Sequence, residues 1–152
     1  MRSIITITFI VLFTTSVFAE LIKPKPEIKP EEVVSIQLSS LMKNDDPYTN
    51  AGIEQTWEFA HPSNRAYTGP IQKFTRMMYS PSYAVMLNHL DHDILDVKLD
   101  ENVAYFFIEL TAEDGRMYGF KWTLNKVNEE GIFKNCWMTT AVSTPMPLST
   151  SS

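Results

Sequence analysis

Residues Asn50–His89 read NAGIEQTWEFAHPSNRAYTGPIQKFTRMMYSPSYAVMLNH, and the reading of this stretch decides the fold. Three punctuation points divide it: His61-Pro62-Ser63-Asn64, Thr68-Gly69-Pro70 and Ser80-Pro81. A proline drives the residue before it toward extended backbone, so Pro62 ends a helix at His61. A proline also suits the first helical position, so Pro70 and Pro81 open new helical segments, the second of them capped by Ser80. Between the breaks the apolar residues recur at helical spacing. Ile53, Trp57 and Ala60 mark a helix over about Ala51 to Ala60. Ile71, Phe74, Met77 and Met78 mark the next, and Tyr83, Val85, Met86 and Leu87 a short last one. His61 to Gly69 is left as a connection.

Upstream, Pro30 opens another helix, with Glu31 and Glu32 in its positive first turn. Val34, Leu38, Leu41 and Met42 give it one apolar face, with Gln37 beside that face, and Asn44-Asp45-Asp46-Pro47 ends it. Downstream of His89 the period changes to two. Leu95, Val97 and Leu99 alternate with Asp96 and Lys98 as in a half-buried strand. Val103 to Leu110 is apolar on both faces, as a central strand requires. Asp114-Gly115 reads as a type I′ hairpin turn. Tyr118, Phe120, Trp122 and Leu124 then share a face, Glu130-Gly131 marks a turn, and a last strand covers about Cys136 to Ser143. Helices first and antiparallel strands after mean an α+β fold: N-terminal helices packed on a curved sheet of about four strands, with a cavity at its open end.

The chain has 152 residues, enough for one domain. The reading divides it into a signal peptide (1–19), a linker (20–29), a single α+β domain (30–143) and a disordered tail (144–152). Met1-Arg2 is followed by an uncharged apolar run that closes on Val17-Phe18-Ala19, with small residues at the −3 and −1 positions that a signal peptidase needs. The run is short for a spanning helix and is interrupted by threonines, so the expectation is export to a periplasmic or extracellular space without a stable membrane anchor. Glu20 to Pro30, with three prolines and three lysines, reads as an extended solvated spacer. The formal net charge is −5 and no basic run occurs, which argues against nucleic acid as a partner. The single cysteine, Cys136, has no internal partner and reads as a buried small hydrophobe.

Candidate chemistry is sparse. His89-Leu90-Asp91-His92-Asp93 holds two histidines and two carboxylates, but a strand would send the histidines to opposite faces, and no metal or other cofactor is assigned. His89 with Asp91 or Asp93 is the candidate acid/base pair, since a histidine titrates near neutral pH. There is no nucleophile elbow and no glycine-rich phosphate loop. Trp57, Trp122 and Trp137 read first as core and second as walls of a ligand pocket. Asn64, His89 and Gln37 are the polar groups such a pocket needs.

The segments PEEVVSIQLSSLMKNDD, GIEQTWEFAHPSN, TGPIQKFTRMM, SPSYAVMLNH, DGRMYGFKWTL and CWMT, in this order from Pro30 to Val142, resemble a bacterial and plant family. It is known as domain of unknown function 4864, in the nuclear transport factor 2-like superfamily. The resemblance implies a cone-shaped α+β fold around a cavity. It carries no catalytic residue, because the family has no established activity and the superfamily mixes isomerases, dehydratases and hydrolases with binding proteins. The functional expectation is a binding or accessory module for a small apolar ligand. The alternatives are an isomerase or hydratase using His89, and a module that forms a homodimer through its sheet.

Overall fold

A computed structural model describes residues 20–148, the side chain of Asp96 excepted. The expected signal peptide, residues 1–19, lies outside the described residues. The order is helix α1 (Pro30–Met42), α2 (Ala51–Glu58), α3 (Pro62–Thr68), α4 (Ile71–Met78), a 3-10 turn (Ala84–Met86), then strands β1 (Asp91–Leu99), β2 (Val103–Thr111), β3 (Met117–Lys126), β4 (Trp137–Val142) and β5 (Met146–Leu148). The architecture is α+β, four helices against one face of a five-stranded antiparallel sheet.

α1 buries Val33, Val34, Gln37, Leu38 and Leu41, a stripe at helical spacing that faces the sheet. Asn44 follows it, fully buried. Its Oδ1 accepts the Ile53 amide at 3.1 Å and its carbonyl accepts the Gly52 amide at 2.9 Å, which fastens the end of α1 to the start of α2. The two helices touch backbone to backbone there: a Cβ on Gly52 would lie 2.2 Å from the Ser40 carbonyl oxygen. Only glycine fits.

The connection from His61 to Gly69 is itself helical, against the expectation of a loop. α2 ends at Glu58, and Pro62 occupies the first position of α3. The His61 side chain caps that helix, its Nδ1 accepting the Ser63 amide at 3.1 Å. α3 buries no residue of its own, which is why it left no apolar period to read. Arg65 from α3 reaches back and donates to the carbonyls of Trp57, Glu58 and Ala60, satisfying the C-terminal end of α2.

The sheet runs β1-β2-β3-β4, with β5 also on β3. β2 is central as expected. Its inner face (Ala104, Phe106, Ile108, Leu110) is buried and pairs in register with Leu124, Trp122, Phe120 and Tyr118 of β3. β1 departs from simple alternation. It starts at Asp91, and a register shift between Ile94 and Asp96 puts Ile94 and Val97 opposite the inward residues Ile108 and Phe106. Leu95 falls at the bulge and is 54% exposed. The hairpin at Asp114-Gly115 is not type I′, because only Gly115 has positive φ. The Gly115 amide closes on the Ala112 carbonyl and the Ala112 amide on that of Arg116, a turn followed by one left-handed glycine.

Both ends of the domain are longer than expected. Met146–Leu148, placed by the sequence in a disordered tail, pairs with Met117–Gly119 on the β3 edge that β4 also uses. Between β4 and β5 the Ser143 hydroxyl accepts the Lys121 amide at 2.9 Å, standing in for a ladder bond. The segment 20–29, expected as a solvated spacer, is irregular but docked. The Gln55 side chain bonds both the amide and the carbonyl of Ile22, Lys23 pairs with Glu58 at 3.0 Å, and Ile28 packs on the core. Among the described residues no helix is long and apolar enough to cross a membrane.

Candidate functional site

Between the helices and the inner face of β3 and β4 lies a cavity of about 280 Å³. Leu41, Phe74, Met77, Met78 and Met86 form its apolar walls, and Trp122 of β3 lines it from the sheet. Three methionines make a wall that adapts to shape. α3 supplies Asn64, Tyr67 and Thr68, at helical spacing along one side, and Tyr67 is 79% exposed at the rim. None of the lining residues is Asp, Glu, Lys, Arg or His.

A buried polar network backs the cavity. Gln37 Oε1 accepts from the Trp122 indole at 3.1 Å and from the Thr139 hydroxyl at 2.7 Å. The same indole also reaches Thr139 Oγ1 at 3.2 Å, and Gln37 Nε2 donates to the Thr56 carbonyl at 3.1 Å. Asn64 Nδ2 donates to the Thr139 carbonyl at 3.2 Å. The backbone continues this stitching: the His61 amide donates to the Thr139 carbonyl, and the Thr139 amide to Phe59. Thr139 thereby joins α1, the α2–α3 junction and β3 at one point. One group stands outside the network. Thr56 lines the cavity and is 5% exposed, and its Oγ1 is the one buried side-chain nitrogen or oxygen among the described residues without a hydrogen-bond partner.

The structure brings together Gln37, Asn64 and Trp122 of the expected pocket residues, and separates the other three from it. Trp57 lies outside, tilted against Phe74 with ring centroids 5.0 Å apart and with the Arg65 guanidinium 4.9 Å over its ring. Trp137 is buried in the core, with Lys126 Nζ 5.2 Å from its ring. Both aromatics serve packing. His89 is not part of the cavity lining either. It is 2% exposed, where the 3-10 turn gives way to β1. Its Nδ1 is 2.7 Å from the Met86 carbonyl, which fixes that nitrogen as a donor, and its Nε2 is 2.8 Å from His92 Nδ1. The sequence placed His89 beside a carboxylate; its ring instead meets a second imidazole.

Electrostatics agree with that geometry. Burial pushes the His89 pKa below the ordinary histidine value, against the opposing pull of the Met86 carbonyl, and the neighbouring His92 lowers it further. Burial also lowers His92, opposed by Asp91 and Asp93. Among the described residues no group of three His, Cys, Asp or Glu side chains is placed to hold a metal.

Further hollows open on the surface, one of them a shallow recess of about 460 Å³ between Val85, Leu87 and Ala112–Asp114. A groove of about 460 Å³ runs between Glu20–Ile22 and the α1–α2 pair, and a polar hollow of about 290 Å³ has His61, Ser63 and Glu129 on its rim. In the polar hollow, Ser63 Oγ sits 2.8 Å from His61 Nδ1, a spacing that suggests a nucleophile and its base. The Ser63 amide already uses the lone pair of that nitrogen to cap α3, so the pair is a helix cap.

Thr56 and Thr139 carried no signal in the sequence. A threonine on an apolar helix face or in a strand is ordinary, and Gln37 and Thr139 are 102 residues apart. No protein-family model, curated protein or solved structure matches the chain.

Proposed function

We propose that this protein is an exported, single-domain binding module that holds a small, mainly apolar molecule in the cavity between its helices and its sheet. The observation that carries the reading is the lining: apolar walls around a few convergent polar side chains, with no charge, in a space between layers where ligand pockets commonly form. We propose further that it belongs to the cone-shaped family that its segments resemble; the order of helices before strands and the cavity between the layers support that reading. Export rests on the N-terminal residues alone.

A fluorescent hydrophobic dye titrated into the purified protein tests the reading. Saturable binding is expected. Ala141→Phe, at an exposed position on the cavity lining, is expected to abolish it while circular dichroism stays unchanged. No dye binding by the unmodified protein, or full binding by the variant, would sink the proposal.

A second reading, pairing of two copies through the sheet, is favoured by apolar side chains left open around the β1 end. Leu95, Val97, Leu99 and Tyr105 are all about half exposed or more. Sedimentation of the protein and of Leu99→Lys separates the two readings: a dimer that the lysine dissociates supports pairing, and a monomer removes it. The reading of His89 as an acid/base catalyst has lost its geometric support, since both ring nitrogens are engaged and the cavity lies elsewhere.

A further inference from the structure

Residues Leu95–Leu99 read Leu-Asp-Val-Lys-Leu and form the C-terminal part of β1, at the edge of the sheet. Leu95, Val97 and Leu99 are each about half exposed or more. Val97 and Leu99 stand opposite Phe106 and Ala104, which are buried, so they continue the inner face of the sheet past its covered part. The backbone is open as well. The Asp100 amide donates to the Val103 carbonyl at 2.8 Å, and along an antiparallel pair the bonding residues alternate. Asp100 and Lys98 therefore turn their amides and carbonyls toward β2, and Val97 and Leu99 turn theirs outward. Natural edge strands are shielded by a charge, a proline or a bulge. Here the bulge lies at one end of the stretch, and the shielding charge is the one lysine, Lys98.

The same five residues are their own complement. Laid antiparallel against a second copy with Val97 opposite Val97, they set Leu95 opposite Leu99 and Asp96 opposite Lys98, each twice. Apolar meets apolar on one face and acid meets base on the other, the two kinds of cross-strand pair that stabilise a sheet. A lysine that would repel most strands is thus matched by this one. No neighbouring register does as well. Moving the centre by one residue sets Asp96 or Lys98 against its own copy. Beyond the stretch the match stops, with Ile94 opposite Asp100 and Asp93 opposite Glu101.

We infer that two copies of this chain join β1 to β1 as antiparallel neighbours, symmetric about Val97, so that their two sheets become one. This rests on the reading that two copies pair, and it fixes the contact as the sheet edge and the register as Val97 on Val97. A seam of five residues is small beside a permanent interface, so the pair is in exchange with free protein and its share grows with concentration.

Sedimentation equilibrium over a series of rising concentrations tests it, with the unmodified protein expected to dimerise. Lys98→Asp sets acid opposite acid, and Asp96→Lys sets lysine opposite lysine. Each alone is expected to weaken the dimer about tenfold, because like charges directly opposite destabilise a strand pair. An equimolar mixture of the two variants is expected to dimerise again, since every charge then faces its opposite. Val97→Cys supplies a second measurement. Directly opposite residues that exchange backbone bonds have Cα atoms about 5.5 Å apart, within reach of a disulfide. Mild oxidation should therefore link two copies through this position, and the native Cys136 is buried and does not compete. A dimer that ignores the charge variants, or that does not cross-link through Val97→Cys, overturns the edge contact and leaves the pairing of copies standing. A monomer at every concentration overturns both. The cysteine variant decides the matter where a charge variant fails to fold.

Discussion

At the scale of single residues, Gln37 and Thr56 are opposites. Gln37 is 1% exposed and uses both ends of its amide, tying α1 to α2, β3 and β4. Replacing it with leucine keeps the volume and leaves the Thr56 carbonyl and the Thr139 hydroxyl short of partners. Gln37→Leu should lower the unfolding free energy by about 1–3 kcal/mol, read from the urea midpoint at constant slope. Thr56→Val should do the reverse. It swaps an unpaired hydroxyl for a methyl of the same shape, and about 1 kcal/mol of added stability is the expected result. The site was legible in part. Trp122, Asn64 and Gln37 stood out as an aromatic or an amide near apolar faces. Trp57 and Trp137 carried the same signal and turned out to be packing, because residue type alone does not say which side of a helix or strand meets a void.

At the scale of elements, α1 and α2 meet backbone to backbone at Gly52. Gly52→Ala forces a methyl into the Ser40 carbonyl, and neither backbone can yield without moving its helix. A loss of about 1–3 kcal/mol is expected, measured by thermal or urea unfolding. The elements with a strong period were readable from the residues: α1 from Pro30 and its apolar stripe, β2 from its apolar run, β3 from the alternation that ends at Leu124. Those that lack a period were not. α3 is held by the His61 cap and the reach of Arg65, both contacts made after folding, and its residues contribute no buried face. The bulge at Leu95 adds one residue and so keeps Ile94 and Val97 opposite Ile108 and Phe106, which a strict count of two cannot anticipate. β5 contains a proline and only three residues, and forms because β3 extends beyond the reach of β4.

At the scale of the whole molecule, all three histidines are held toward the neutral form. Burial is the leading cause for His61, His89 and His92 alike, and each is lowered from the ordinary value. The unfolded chain therefore takes up protons below about pH 6.5 that the folded chain refuses. The histidine contribution to stability is fully present above that pH and is lost as pH falls through the depressed values. Urea midpoints measured from pH 8 downward should be level at first and then decline below about 6.5. A midpoint that rises on acidification through that window would show the histidines to be stabilised as cations instead.

The two lateral edges of the sheet are unequal. On the far side, β4 is engaged at Thr139 by the chain at Phe59 and His61, and β5 offers Pro147, which has no amide hydrogen to present to a newcomer. β1 lies at the other edge, and among the described residues no strand lies beyond it. Addition of a further strand is thus possible in one direction only. Two copies meeting through β1 would each consume the other's single open margin, giving an isologous two-fold contact that leaves nothing to propagate. Self-association by this route stops at a pair and does not run on into a fibre.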